Sequence, residues 1–158
     1  FNGLFNYLQK NIEGNIEDQL KITSSSTRSG SPRNVILYNN KSSFFQSYNN
    51  PNSWLCFDLQ NRYVIPNYYS IRSHSYGKNC VHPKAWVIEG SLDGSNWDII
   101  NEHKNCSYLN GSSLVHSFPI RNENNKKFRY IRIRQTSTNW CGDNDLTIGW
   151  FELFGKII

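Results

Sequence analysis

Short apolar runs, each closed by a turn signal, set the pattern of this chain. Eight of them are strand-like: Gln19–Thr23, Trp54–Leu59, Tyr68–Ser73, Ala85–Ser91, Trp97–Glu102, Leu114–Ile120, Arg129–Gln135 and Thr147–Phe154. Short strands at this spacing, with almost no helix between them, are typical of an antiparallel β-sandwich. One segment differs, because Leu4, Phe5 and Leu8 recur at helical spacing near the start. The pattern therefore predicts an all-β domain with a short N-terminal helix over Gly3–Lys10, terminated by Gly14.

The connections between these strands divide into two groups. If successive strands run antiparallel, their connections lie alternately at the two ends of the sandwich. Long loops then fall at one end, at residues 24–52, 74–84, 103–113 and 136–146. Short turns fall at the other end, at Gln60–Pro66, Asp93–Asn96 and Arg121–Lys127. Because binding residues concentrate on long loops held by a rigid scaffold, we predict that the four long loops, here called the rim, form the binding surface.

The composition fits one domain of this class. The chain has 158 residues, of which 37% are hydrophobic and 15% aromatic, and large rings can fill a core in which aliphatic residues are few. The chain begins with Phe1 and contains no methionine, which indicates a single domain, residues 1–158, excised from a larger multidomain protein. No segment has the layout of a signal peptide or the length of a transmembrane span, so we expect a cytoplasmic location.

The distribution of basic residues along the chain gives no sign of a nucleic-acid-binding surface. The net charge is +5, but Lys and Arg are scattered and Lys126–Lys127 is the one adjacent pair. Arg132 and Arg134 share a strand face beside Tyr130, which is typical of a solvated sheet, so we expect no nucleic-acid partner.

The four cysteines permit two disulfides in three connectivities, and none lies near a terminus. We predict reduced thiols, as is usual in the cytosol.

The candidate binding residues are the aromatic, histidine and charged side chains of the rim. They are Phe44, Phe45, Tyr48, His74, Tyr76, Lys78, His82, Trp140 and Asp143. Trp140 has two interpretations, because a loop tryptophan can stack on a ligand or fold inward as a lid over the core. The other tryptophans are predicted to pack in the core or on a sheet: Trp54, Trp86, Trp97 and Trp150.

No pattern in the chain predicts a metal, a cofactor or catalysis. Asp143 and Asp145 lie in one loop, but two carboxylates do not define a calcium site. The spacing of the loop cysteines and histidines matches no zinc finger. The chain also lacks a nucleophile elbow and a Gly-rich phosphate loop. We therefore expect neither metal nor cofactor, and no enzyme activity.

Several motifs together resemble the coagulation factor V/VIII type C, or discoidin-like, domain of the galactose-binding-like superfamily. The likeness rests on NSWLCFDLQNRYVIPNYYSIRS, on the hairpin HPKAWVIEGSLDGSNW, and on the late strands FRYIRIRQT and WFELFG. The opening GLFNYLQKNIEGNIEDQLKITSSS is similar to a variant of protist proteins, in which the domain accompanies a BTB domain. The likeness covers nearly the whole chain.

The resemblance implies a jelly-roll β-sandwich of about eight strands without catalysis. Members of this family bind carbohydrate, phospholipid or protein through one loop rim. Secreted members usually have a cysteine near each end, and this chain has neither. We therefore expect an intracellular module that binds a protein partner. The alternatives are a carbohydrate- or lipid-binding module and a structural part of a cytoskeletal assembly.

Overall fold

The structure, a computed structural model, describes residues 3–11 and 14–158. Its helices are α1, Leu4–Lys10, and two short 3₁₀ helices, Ile16–Asp18 and Pro32–Ile36. Its strands are β1 Lys21–Ser24, β2 Ser29–Gly30, β3 Phe45–Gln46, β4 Trp54–Asp58, β5 Val64–Arg72, β6 Trp86–Ser91, β7 Asp98–His103, β8 Val115–Pro119, β9 Tyr130–Gln135, β10 Thr147–Ile148 and β11 Trp150–Ile157.

The strands form antiparallel sheets that confirm the predicted all-β jelly-roll sandwich. One sheet has five strands in the order β1-β4-β9-β6-β7, and the facing sheet has three in the order β11-β5-β8. A small third sheet, β10-β3-β2, lies beside them. Neighbours in a sheet are mostly distant in sequence, so the sheet order places loops from remote parts of the chain together.

The alternation along β9 shows how the sequence specifies the sandwich. Ile131 and Ile133 are fully buried between the sheets, whereas Arg132 points to the outer face of the five-stranded sheet. There its guanidinium carbon lies 3.9 Å from the ring centroid of Trp97 and 5.6 Å from that of Trp54. Such cation–π contacts cover the tryptophan rings, and the predicted sheet-packing role of both is confirmed.

Aromatic rings fill much of the core between the sheets. Phe151 of β11 stacks on Phe57 of β4 with centroids 5.0 Å apart, and on Tyr69 of β5 at 5.5 Å. Phe5 of α1 extends this stack to Phe57 at 4.7 Å. These rings let a chain with a low hydrophobic fraction bury a continuous apolar core.

Helix α1 is attached to the sandwich by a buried carboxylate. Glu152 of β11 accepts hydrogen bonds from the backbone N–H groups of Phe5, at 2.8 Å, and Asn6, at 2.9 Å. A seven-residue helix is not stable alone, so these bonds and the buried side chains hold it. The helix ends at Lys10 as predicted, but Gly14 does not terminate it, because the backbone and side-chain N–H groups of Asn11 already bond the Tyr7 carbonyl.

The predicted final strand is divided by a glycine. The backbone N–H of Gly149 donates to the Arg72 carbonyl at 2.9 Å, and a Cβ at this position would lie 2.8 Å from the Ser73 carbonyl oxygen. This close approach separates β10 from β11. Strands β2 and β3 were not predicted, because two residues carry no periodicity.

The predicted turn Gln60–Pro66 is too long, because β5 already begins at Val64. Pro66 lacks an N–H donor, yet it lies opposite Gly155, where the register with β11 shifts. A proline is tolerated in a strand at such a bulge. The Asp93–Gly94 turn is confirmed, since the Asp93 carboxylate accepts from two following backbone N–H groups and Gly94 has φ +76°.

Candidate binding rim

The four loops of the rim contact one another, as strand alternation predicts. Each neighbouring pair of loops is joined by at least one side-chain contact. The contacts are Phe44 with His74 (centroids 4.3 Å apart), Asn79 with Asn110 (2.9 Å), Trp140 with the Cys106 carbonyl (3.2 Å) and Gln46 with Asp145 (2.6 Å). The rim is therefore one connected surface at one end of the sandwich.

The buried side chain of His82 fixes the backbone of loop 74–84. Its side chain is fully buried, and Nε2 lies 2.9 Å from the Tyr76 carbonyl oxygen and 2.8 Å from that of Gly77. Carbonyl oxygens only accept, so Nε2 carries the proton and donates to both. His82 positions the loop, and its burial removes it from the surface that a ligand would contact.

His74 is the centre of a short aromatic row. Its ring lies 4.3 Å from Phe44 and 4.1 Å from Tyr76, measured between centroids. Nδ1 accepts a 3.1 Å hydrogen bond from the Tyr76 N–H, which requires an unprotonated nitrogen. Burial lowers the pKa of His74, and nearby His82 lowers it further. The imidazole is thus a neutral support that presents the Tyr76 ring, which is 54% exposed.

Trp140 connects the rim loops to one another. Its indole N–H donates to the Cys106 carbonyl at 3.2 Å, and its backbone N–H donates to the His82 carbonyl at 3.2 Å. The ring is partly buried, and the ammonium of Lys84 lies 4.7 Å from its centroid. Trp140 therefore links three rim loops, and Lys84 occupies one face of its ring.

Asn139 and Asp145 order the last rim loop. The buried Asp145 carboxylate accepts from Gln46 Nε2 at 2.6 Å and from Asn139 Nδ2 at 3.0 Å. Asn139 Oδ1 in turn accepts from the backbone N–H groups of Cys141 and Asp143, each at 3.1 Å. The Asp145 carboxylate is thus hydrogen-bonded by side-chain amides inside the loop, whereas Asp143 is exposed to solvent.

The nine predicted site residues divide by burial. Those exposed on the rim are Tyr48, Tyr76, Lys78 and Asp143, those partly buried are Phe44 and Trp140, and those buried are Phe45, His74 and His82. Phe45 belongs to β3 and is 0% exposed, so a surface role for it is incompatible with this structure. Its neighbour Phe44 faces the aromatic row, as strand alternation requires.

Two anchors at the end of β5 were missed from the sequence. The buried Arg72 guanidinium donates to the Tyr38 carbonyl at 2.9 Å and the Asn40 carbonyl at 3.2 Å, and burial lowers its pKa. Ser73 Oγ donates to the Gly111 carbonyl at 2.6 Å. The sole signal in the sequence was an arginine at the end of an apolar strand, and its carbonyl partners lie on distant loops.

The described residues show no grouping suited to a metal ion. Within residues 3–11 and 14–158, no three His, Cys, Asp or Glu side chains converge as a metal site would require. The four cysteines are unbridged. None of the helices in these residues has the length and apolar character that crossing a bilayer demands.

The family follows from comparison with known domains. Residues 21–148 match the F5/8 type C domain. The chain belongs to this family. The resemblance seen in the motifs is thus confirmed, and the F5/8 type C domain is a binding module. The match does not support a special likeness to the BTB-associated form of protist proteins.

Relatives of this F5/8 type C domain occur in much longer proteins. It is 29% identical over 113 residues to the E3 ubiquitin-protein ligase Ufd4 of Drosophila melanogaster, a match that covers 69% of the chain and 4% of the ligase. It is 27% identical over 143 residues to the E3 ubiquitin-protein ligase hecd-1 of Caenorhabditis elegans, covering 88% of the chain and 5% of that ligase. The chain thus spans about a twentieth of the curated relatives it matches.

A solved structure shares the fold of this F5/8 type C domain. The module CpGH89CBM32-5 of Clostridium perfringens, in complex with GalNAc-β-1,3-galactose, superposes with a TM-score of 0.68 at 15% identity. The superposition covers 88% of this chain and 97% of that module. At this identity the likeness concerns the fold.

Proposed function

We propose that this domain is a non-catalytic module of a longer cytoplasmic protein and that its rim holds a protein partner. The observation that carries the proposal is the contrast between buried anchors and exposed rings in the rim. His74 and His82 fix the loop backbone, whereas Tyr48 and Tyr76 are 52% and 54% exposed. Tyrosine is enriched in the energetic centres of protein interfaces, and a pre-organised loop loses little entropy on binding.

The relatives support a protein partner. Both are named as ubiquitin-protein ligases, and such enzymes act on other proteins. A domain of about a twentieth of their length suits a module that holds a protein while another part of the chain does the chemistry.

Site-specific photo-crosslinking in the full-length protein tests the proposal. A photoreactive residue at position 76 should crosslink a defined protein in the cells that produce it. The matched control is position 68, because Tyr68 is also about half exposed (48%) but lies on β5, away from the rim. Tyr48→Ala should weaken crosslinking at position 76. Identical products from positions 76 and 68, or no protein product at 76, would contradict the proposal.

A carbohydrate ligand is the second candidate. It is favoured by the sugar bound to the solved module of the same fold and by the open rings of Tyr48 and Tyr76, which can stack on a sugar face. Trp140 is less suited, because Lys84 occupies one face of its ring. A glycan array distinguishes the candidates: a specific signal that Tyr76→Ala abolishes would favour carbohydrate, whereas an empty array would exclude it.

A further inference from the structure

The rim concentrates the positive charge of the chain. Its four loops contain six basic and two acidic side chains, a net charge of +4 out of the +5 of the whole chain. The basic ones are Arg28, Arg33, Lys41, Lys78, Lys84 and Lys104, and the acidic ones are Asp143 and Asp145. Five of these cations lie on loops that the alternation of the strands brings to one end. Arg33 is the exception, because it pairs with Glu17, whose carbonyl accepts from Gln60 of the opposite end.

The ion pairs of the domain lie almost entirely elsewhere. On the outer sheet face Glu89 pairs with Arg132, at 3.2 Å, and Arg134, at 2.6 Å. The other pairs are Arg129 with Asp58, Arg121 with Glu123, Lys126 with Asp98, and Arg33 with Glu17. Arg33 is the one rim cation among the ion pairs of the described residues. Within the described residues, the other five have no carboxylate partner. Lys84 lies over the ring of Trp140, and the four exposed ones are Arg28, Lys41, Lys78 and Lys104.

The two rim carboxylates do little to offset this charge. Asp145 is buried and bonded to the amides of Gln46 and Asn139, so it is not available to a partner. Asp143 is the single exposed carboxylate of the rim. A surface that presents several cations of one sign attracts anions and raises their local concentration.

We infer that the rim selects an acidic segment of its protein partner, one rich in Asp and Glu. This inference rests on the proposed function and adds to it the chemistry of the partner. Carboxylates of such a segment pair with Lys78, Lys104 and Arg28, while its backbone and apolar atoms lie on the exposed rings of Tyr48 and Tyr76. Complementary charge of this kind mainly increases the association rate and selects among partners.

The spacing of the cations favours a protein segment over a nucleic acid. The four exposed cations come from separate positions on three loops, and no two are adjacent in sequence. Nucleic-acid surfaces instead carry a basic patch or stripe that follows the phosphate backbone. Asp143 would also lie against any polyanion that covered the whole rim.

Charge reversal with a matched control tests the inference. The probe is a fluorescent peptide of alternating Glu and Ser, and binding to the full chain is measured by fluorescence anisotropy. Replacing Lys78→Glu together with Lys104→Glu should weaken binding by about tenfold or more. The control is Lys21→Glu with Lys156→Glu, which changes net charge equally at exposed residues of β1 and β11 outside the rim. Melting temperatures of both double variants establish that they fold.

The outcomes separate this inference from the proposed function. Equal weakening by both double variants would show a response to net charge alone and would overturn the inference. Tighter, rim-dependent binding to phosphatidylserine vesicles or single-stranded RNA than to the peptide would also overturn it, and would assign the rim to a membrane or to nucleic acid. If crosslinking at position 76 persists in the Lys78→Glu, Lys104→Glu variant, the partner is a protein that is not held by acidic groups.

Discussion

The indole N–H of Trp86 donates a 2.9 Å hydrogen bond to the hydroxyl of Tyr69. Trp86 lies on the five-stranded sheet and Tyr69 on the facing one, so this bond crosses the sandwich. The Tyr69 hydroxyl donates in turn to Asn101 Oδ1 at 2.6 Å. Burial raises the pKa of Tyr69, and the hydroxyl stays neutral and remains a donor. A polar chain thus fixes how the two sheets face each other.

Removing the Tyr69 hydroxyl should destabilise the domain. Tyr69→Phe leaves the buried Trp86 N–H without its acceptor and removes the donor to the partly exposed Asn101 oxygen, at a cost of about 1–3 kcal/mol. Chemical denaturation measures the free energy of unfolding. Tyr68→Phe is the control, since that neighbouring ring is 48% exposed, and it should change stability little. Equal stability of the two variants would show that the bond across the sheets contributes nothing.

The tryptophans of core and rim should respond differently to truncation. Trp86→Ala empties a fully buried site and should cost about 3–5 kcal/mol. Trp140→Ala loses the hydrogen bond to Cys106 and the contact with Lys84, which should cost about 1 kcal/mol while the domain stays folded. Thermal unfolding by circular dichroism checks both. Loss of folding in Trp140→Ala would place that ring in the core.

Stability should fall as the pH drops below the ordinary histidine pKa of 6.5. Burial is the main cause that lowers the pKa of His74 and of His103. The unfolded chain therefore takes up protons first as the pH falls. The stabilising contribution is complete above 6.5 and is lost as the pH falls towards the folded pKa values.

Urea denaturation at several pH values measures this dependence. His103→Phe should reduce it, because a phenyl ring keeps the contacts with Trp86 and Phe118 but cannot be protonated. If the free energy of unfolding of this variant varied with pH as it does in the wild type, His103 would not contribute to the pH dependence.

The glycine before α1 should not tolerate a side chain. A Cβ at Gly3 would lie 2.1 Å from Cγ of the buried Glu152, so Gly3→Ala must displace the carboxylate that holds the helix. Overpacking of this kind costs about 1–3 kcal/mol, and α1 should become sensitive to proteolysis. Gly77→Ala is the control, since no heavy atom lies within 4 Å of its Cβ position. If both variants resist protease equally, Glu152 adjusts without loss.

The thiols should differ in their reaction with a thiol reagent. Cys141 is exposed and should react in the folded domain, whereas Cys56 is buried with a pKa raised to about 12 and should react only after unfolding. Burial and then the charge of Asp143 raise the pKa of Cys141. Asp143→Asn should therefore speed its reaction about two- to fivefold, as thiolate is the reactive form. Unfolded chain without reductant should show four free thiols, and fewer would reveal a disulfide.

Most of the fold can be predicted from the sequence, because strands and turns are marked by residues close together in the chain. The strands are predicted by their apolar periodicity and by turn signals such as Asp93–Gly94. The alternating direction of successive strands then predicts that the long loops lie at the same end. The role of single loop residues depends on distant partners. Phe44 and Phe45 are adjacent, and which ring faces the core is decided by pairing of β3 with β10, about a hundred residues later. His74 and His82 look like ligand residues in sequence, and their burial follows from the packing of the rim.

Most anchors of the rim bond to backbone carbonyls of the loops. Arg72 reaches Tyr38 and Asn40, Ser73 reaches Gly111, and Trp140 reaches Cys106. A backbone carbonyl is present whatever side chain the loop residue carries. The exposed loop positions are therefore free to change without loss of the bonds that shape the loops. One scaffold of this kind can be resurfaced for new ligands, by natural divergence or in a combinatorial library, while the sandwich beneath stays the same.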